Sequence, residues 1–226
     1  MLSWRGKMDK YKIEVKLMSE AIFGSGHSIP GSVDLEIVYD DNGFPFMKAK
    51  TFKGNLREAM ENAVTFLGSE YSEVMNGLVG KEGNGVELWK TLKFSDCMIS
   101  KNVREFIEIA VKEKVIQASE VKDALTSIRS FTSIDEDGSH KIGSLRQFRV
   151  ISKGLVFEVE VECERKLEVK ELELLALSVK SLKHIGSMRT RGKGRIDCRL
   201  LANVGECADI TDFYINRLLK GVGANV

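Results

Sequence analysis

From residue 155 to residue 162 the chain alternates. Leu155, Phe157, Val159 and Val161 fall on one side of a two-residue period, and Glu158, Glu160 and Glu162 on the other. A period of two is the geometry of a strand, and a strand written this way keeps one face in a core and the other in water. The chain therefore needs a sheet with one covered face and something apolar to cover it. Ile13, Val15 and Leu17, alternating with Lys12, Glu14 and Lys16, supply a second strand of the same kind.

The cover is written in helical spacing. Phe52, Leu56, Met60, Val64 and Leu67 recur at intervals of three and four, with Thr51 placed to cap that helix. Leu172, Leu175, Ala176, Val179 and Leu182 define another over about 169–184. Leu92, Phe94 and Asp96-Cys97-Met98 predict a further strand after short helical pieces, and Arg195–Leu201 the last one. A polar loop of about 22–47 and a helical insertion of about 99–130 interrupt the series. Within the insertion, Asn102 and Ser119 stand as N-caps of helices over 102–129, and a closing helix is expected over Asp209–Leu219. Without the interruptions the order is strand-helix-strand twice. That is the α+β, ferredoxin-like βαββαβ (RRM-like) core, whose antiparallel sheet leaves one face free for a ligand, as many RNA-binding modules do. Such a fold does not by itself fix a function.

The 226 residues, 43% hydrophobic and 30% charged, fit one domain spanning 1–226, and with only Pro30 and Pro45 no proline-rich linker divides them. Lys and Arg total 34 against 33 acids. A global basic excess therefore cannot argue for nucleic acid, and only the placement of charge can. The start, Met1-Leu2-Ser3-Trp4-Arg5, carries no apolar run of signal-peptide length, and no stretch is long enough to cross a bilayer, so a cytoplasmic protein without membrane contact is expected. Cys97, Cys163, Cys198 and Cys207 share no CxxC-type spacing, which argues against both a disulfide framework and a zinc site.

Charge placement singles out two segments. From Lys180 to Ile196 there are six Lys or Arg residues and no acid, and the run Gly186-Ser187-Met188-Arg189-Thr190-Arg191-Gly192-Lys193-Gly194-Arg195 interleaves four of them with glycine. Glycines let a backbone approach a ligand and turn N–H groups toward an anion, while Arg and Lys add phosphate contacts that carry no sequence information. Taken alone, the same run also reads as a tight helix-to-strand turn with a solvated rim. In Lys48-Ala49-Lys50-Thr51-Phe52-Lys53-Gly54-Asn55-Leu56-Arg57, the residues Lys50, Lys53 and Arg57 share one face at a helix N-terminus, a place that favours phosphate. An ordinary solvated helix face is the competing reading there.

Together these segments resemble the RAMP superfamily, whose members carry a glycine-rich loop between the second helix and last strand of the ferredoxin-like unit. Gly186–Arg195 stands there as G-x-x-R-x-R-G-x-G-R. Backbone-type (Csm/Cmr-like) subunits of type III CRISPR effector complexes are similar near the N-terminus as well. They show a Gly/Ser-rich loop (24–31 here), an aspartate (Asp34), D-x-x-G-x-P (Asp40 to Pro45 here, as D-D-N-G-F-P), and a Lys-Gly-x-x-Arg helix start (Lys53 to Arg57). Ile134-Asp135-Glu136-Asp137-Gly138 and Gly143-Ser144-Leu145-Arg146 look like the family's central loop. The chain departs from the family at Lys48-Ala49-Lys50-Thr51, where a Pro-Gly-Ser-Ser-like run is usual.

The resemblance implies a subunit that stacks with copies of itself and other RAMP subunits in a filament along a CRISPR guide RNA, which pairs with a complementary target RNA. Lys50, Lys53, Arg57, Arg189, Arg191 and Lys193 would grip guide phosphates, with Gly186, Gly192 and Gly194 shaping the loop. It implies that Asp34 is a catalytic and metal-binding carboxylate, helping Mg²⁺ (or a similar divalent cation) to promote cleavage of target RNA by an adjacent 2′-hydroxyl, with substrate phosphates and waters completing the metal shell. Read without the resemblance, Asp34 is an ordinary loop carboxylate. Three other readings stay open: a structural or capping subunit with Asp34 inert, an endonuclease that processes the CRISPR transcript with His27 as general base, and an unrelated ferredoxin-like protein that binds a small metabolite and no RNA. Asp40-Asp41-Asn42-Gly43 is most simply a hairpin turn, and His140 and His184 flank basic loops as peripheral contacts.

Overall fold

The computed structural model describes residues 10–31, 33–80, 91–132, 143–204 and 206–223. Its main sheet is built around β1 (Lys10–Leu17), which lies antiparallel between β6 (Val156–Cys163) and β7 (Ile196–Val204). Outside β6 run two short strands, β2 (Leu92–Phe94) and β3 (Met98–Ile99), and β8 (Glu206–Asp209) extends the sheet beyond β7. The path β2-β6-β1-β7, with the last core strand beside the first, is the ferredoxin-like order.

Register explains why both alternating segments are needed. Ile13 sits between Val159 and Leu200, and Val15 between Phe157 and Cys198, so one face of three strands is wholly apolar and fully buried. Helices α1 (Ala49–Leu67) and α5 (Val169–Ser181) close that face with Phe52, Leu56, Met60, Leu175 and Val179. α2 (Glu70–Val79) follows α1 after the Gly68 turn, and α6 (Thr211–Gly223) packs on α5. The free cysteines Cys97, Cys163 and Cys198 fill this core. Burial pushes the Cys198 thiol up to about 12 and also raises that of Cys97, so neither ionises near neutral pH.

Between β3 and β6 the chain builds an annex of α3 (Lys101–Lys112), α4 (Ala118–Leu125) and a two-stranded ribbon, β4 (Thr126–Phe131) with β5 (Arg146–Ile151). The spacing predicts helix as far as residue 129, but it stops at Leu125 and Thr126 turns into extended backbone. Gln117 and Glu120, not Ser119, form the capping box of α4, and α3 is preceded by Ser100, not capped by Asn102. The expected strand over Leu92–Met98 is broken in two. Cys97 leaves β6 to pair with Met47, and Asp96 leaves to serve the start of α1. Asp209 ends β8 and accepts a hydrogen bond from the Thr211 N–H, so the closing helix starts two residues later than expected.

The sheet face turned away from α1 and α5 is the position expected to be free for a ligand, and α3 stands beside it, with Lys101, Arg104, Glu105 and Glu108 lining one cleft with Glu158 and Glu160. Lys10, Lys12, Glu14 and Lys16 of β1 stand there opposite Glu158, Glu160 and Glu162 of β6, with Asp197 and Arg199 from β7. Ion pairs run across it at 3.4 Å (Lys10–Glu162) and 3.0 Å (Lys12–Glu158), and these outward positions hold no aromatic ring on which a base could stack. No helix among the described residues is long and apolar enough to cross a membrane.

Candidate nucleic-acid interface

Three segments far apart in sequence meet at one end of the sheet. The chain leaving β1 (Ile22 to Ser25), the start of α1 (Lys48, Thr51, Asn55) and the glycine-rich loop (Gly186, Ser187) line an open cleft of about 340 Å³. Its floor is apolar, with Ile22, Phe23, Val38 and Met47, and its rim carries hydroxyl, amide and ammonium groups. A shallower depression of about 240 Å³ continues past Asn55 and Glu58 to Lys183, His184 and Arg189.

The glycine-rich loop holds its shape through backbone chemistry. A 3₁₀ turn over Arg189–Arg191 is bracketed by Met188 and Gly192, both left-handed. Met188, at φ +60°, is one of two described non-glycine residues in that region, a conformation that costs a side chain about 1 kcal/mol. Gly186 (φ +80°) and Gly194 (φ +71°) are pressed so close to the carbonyls of Ile22 and Ile185 that neither has room for a Cβ, whereas Gly192 (φ +74°) faces open space. Ser187 N–H donates to Ile22 O at 2.9 Å and Gly194 N–H to Glu20 O at 2.7 Å, so both ends of the loop are fastened to residues 20–22.

The helix start is positioned from a distance. Ala49 N–H donates to Asp96 Oδ1 at 2.6 Å, which starts α1 two residues before Thr51 and puts Lys48 at its N-cap. This cap lies 47 positions away in sequence, so no local pattern announces it. Lys48 is therefore a rim residue that the sequence reading left out, as are Asn55 and Ser187. Lys48, Lys50 and Arg191 are exposed and form no ion pair with described residues. Lys53 is half-buried and engaged within the fold. Arg189 reaches Glu58 of α1 at 3.2 Å.

Arg57 is not in the cleft. Its Nη1 donates to Gly80 O at 2.7 Å and its Nε to Glu61 at 2.8 Å, tying α1 to the end of α2. The expected shared face of Lys50, Lys53 and Arg57 is thus divided between solvent and the fold's own bonds.

Asp34 sits beside the cleft on the loop that crosses to β5. Its N–H donates to Gln147 O at 2.8 Å and its Oδ2 accepts the Gln147 N–H at 2.7 Å. The neighbouring Leu35 lies against Gly24, which also borders Ser187. Beneath it is a buried ion pair: Arg149 meets Glu36 at 3.0 Å and also donates to Thr126 Oγ1 at 3.1 Å. Glu36 in turn accepts the Ile37 N–H at 2.9 Å. Arg149 thereby fastens the Asp34 loop to β4 and β5, a role nothing in its sequence neighbourhood signals.

Asp34 is exposed, and with Oδ2 occupied it has one carboxylate oxygen left for a cation. Among the described residues no group of three or more His, Cys, Asp or Glu gathers to hold a metal. A single carboxylate oxygen suits Mg²⁺, which keeps most of its waters and borrows ligands from substrate phosphates. His27 is exposed on the same loop, its N–H donating to Ser25 Oγ at 3.1 Å. Asp40 does close a turn, its Oδ1 accepting the N–H groups of Asn42 and Phe44, both at 3.0 Å, while Arg104 holds Oδ2. Residues 134–138 and His140 lie outside the described residues.

Residues 14–197 match the family model of the RAMP superfamily. No curated protein matches the chain by sequence. Among solved structures, the chain is similar to one from a type III-B Cmr-beta complex in the apo state, with a TM-score of 0.63 at 13% identity over 84% of this chain and 96% of that one. It is similar to another from type III-B Cmr-beta bound to cognate target RNA, with a TM-score of 0.62 at 13% identity over 88% and 98%. At that identity the likeness shows the fold.

Proposed function

This chain belongs to the RAMP superfamily, and on that premise we propose that it is a CRISPR RNA-binding backbone subunit of a type III effector complex. The observation that carries the reading is the cleft, where a glycine-rich loop and a lysine-bearing helix start converge on one polar-rimmed groove with an apolar floor. A guide RNA varies in sequence, so its holder must use phosphate and 2′-hydroxyl contacts, which is what Lys48, Lys50, Arg189, Arg191 and the rim hydroxyls of Thr51 and Ser187 can offer. The fold-level likeness to subunits of Cmr-beta complexes, one bound to target RNA, supports guide and target RNA and other RAMP subunits as partners.

In this reading Asp34 supports metal-dependent cleavage of the target RNA. Gln147 fixes its carboxylate through one oxygen, the Glu36–Arg149 pair holds the loop that carries it, and the second oxygen is left for the cation. Mg²⁺ bound there would supply charge neutralisation at the scissile phosphate.

Two measurements test this. RNA copurifying with tagged protein from its native host is expected to be short and to carry CRISPR repeat-derived ends; absence of any discrete RNA overturns the binding reading. In the assembled complex, Asp34→Ala is expected to abolish target cleavage while guide and target remain bound, and full residual cleavage leaves Asp34 a plain loop residue in a structural subunit.

A further inference from the structure

Glu20 stands where the glycine-rich loop, the annex and the end of β1 come together. Its Oε2 accepts from Lys193 Nζ of the loop at 2.5 Å, and its Oε1 accepts from Arg129 of β4, with Nη2 at 2.7 Å and Nε at 3.0 Å. Two cations from separate elements thus converge on one carboxylate. Its side chain is only 19% exposed, while Arg129 at 54% opens the cluster to solvent. The Lys193 ammonium also rests 5.7 Å from the Phe131 ring, which itself packs on Phe148. Burial pushes the Glu20 carboxyl up, but the hydrogen bonds and charges of Arg129 and Lys193 outweigh that and hold it below the usual carboxylate range, so it is ionised at neutral pH.

A carboxylate offers two oxygens and one negative charge, as does the non-bridging pair of a phosphodiester. Remove it, and two arginine N–H groups aimed at one oxygen position and a lysine ammonium aimed at the other are left facing each other, a donor set that suits the two non-bridging oxygens of a phosphate. The backbone of Glu20 is pinned by the Gly194 N–H, so only its side chain has to swing aside. We propose that Lys193 and Arg129 form a binding site for one RNA phosphodiester, and that Glu20 fills this site as an internal counter-ion in the free chain and is displaced when RNA arrives. The proposal rests on the RNA-binding reading above and adds to it a ligand group, Arg129, and a competitor, Glu20. The alternative is that Glu20 is a brace whose loss lets loop and ribbon part.

The test is anisotropy titration of a labelled, mixed-sequence single-stranded RNA with the full chain over a series of KCl concentrations, alongside a thermal melt. Glu20→Gln is expected to bind about tenfold more tightly, with a salt slope steeper by about 0.7 for each additional phosphate neutralised. Adding Arg129→Gln to it is expected to cancel the gain. Glu20→Asp keeps the charge but draws the carboxylate back from one cation, so a smaller gain is expected. Binding by Glu20→Gln that is unchanged or weaker, with its melt intact, overturns the proposal and leaves the brace. A loss of affinity in Glu20→Asp does the same even where Glu20→Gln fails to fold. If neither the wild-type chain nor Glu20→Gln binds RNA, the RNA-binding reading falls and this proposal with it, whereas binding by both with equal affinity removes the proposal alone.

Discussion

Two surfaces of this molecule are rich in lysine, and they are built on opposite plans. On the sheet face turned away from α1 and α5, Lys10 and Lys12 answer Glu162 and Glu158 across the strand pair, so charge is cancelled within a few ångströms. Lys48 at the cleft, Lys50 on the same helix start and Arg191 on the glycine-rich loop have no acidic partner among the described residues. A chain with a net charge of +1 can therefore present one basic surface and one neutral one. The ferredoxin-like sheet, whose free face serves many RNA-binding modules as a platform, serves here as a frame that positions its own edges and loops.

The contrast can be broken by reversing charge on each side. Lys48→Glu, Lys50→Glu and Arg191→Glu together are expected to weaken single-stranded RNA binding about a thousandfold at moderate salt, on the order of tenfold for each cation reversed. Reversing Lys10 of β1 and Lys93 of β2, which lies opposite Glu162 and pairs with Glu164 at 2.9 Å, is expected to leave RNA binding as it was, and an equal loss there would erase the distinction. Beneath the cleft, Arg149→Ala strands the buried Glu36 carboxylate and is expected to destabilise the chain by about 3 kcal/mol in urea unfolding. Within the glycine loop, Gly194→Ala meets both a left-handed backbone and the Ile185 carbonyl, so a cost of about 2 kcal/mol is expected. Gly192→Ala meets the backbone penalty alone, at about 1 kcal/mol. On the sheet face, Lys12→Gln is expected to cost about 0.5 kcal/mol, the scale of a pair still reached by water.

The core was legible because its strands alternate strictly and its helices repeat apolar residues every three or four positions, patterns that report burial directly. The ribbon was not. In Thr126–Phe131 only Thr126 is fully buried, so no periodicity marks the strand, and by spacing alone the helix before it runs on into those residues. The glycine loop could be read because glycine beside arginine is a local signal. Lys48 and Arg149 could not, since one owes its place to Asp96 and the other to Glu36, both distant in sequence. Arg57 shows the limit of spacing from the other side: helical periodicity puts a cation on a face, and Gly80 O and Glu61 are what it bonds there.

The reach of Asp96 into α1 has a mechanical side. Asp96 lies in the break between β2 and β3, both of which hang on β6 at the edge of the sheet, and its carboxylate holds the first amide of the helix that bears the cleft's lysines. Edge strand and helix start therefore move as one lever. Prying the edge away from β6 would free the Ala49 amide. Hydrogen exchange at Ala49 would follow the opening of the sheet's edge and not the fraying of the helix to which it belongs.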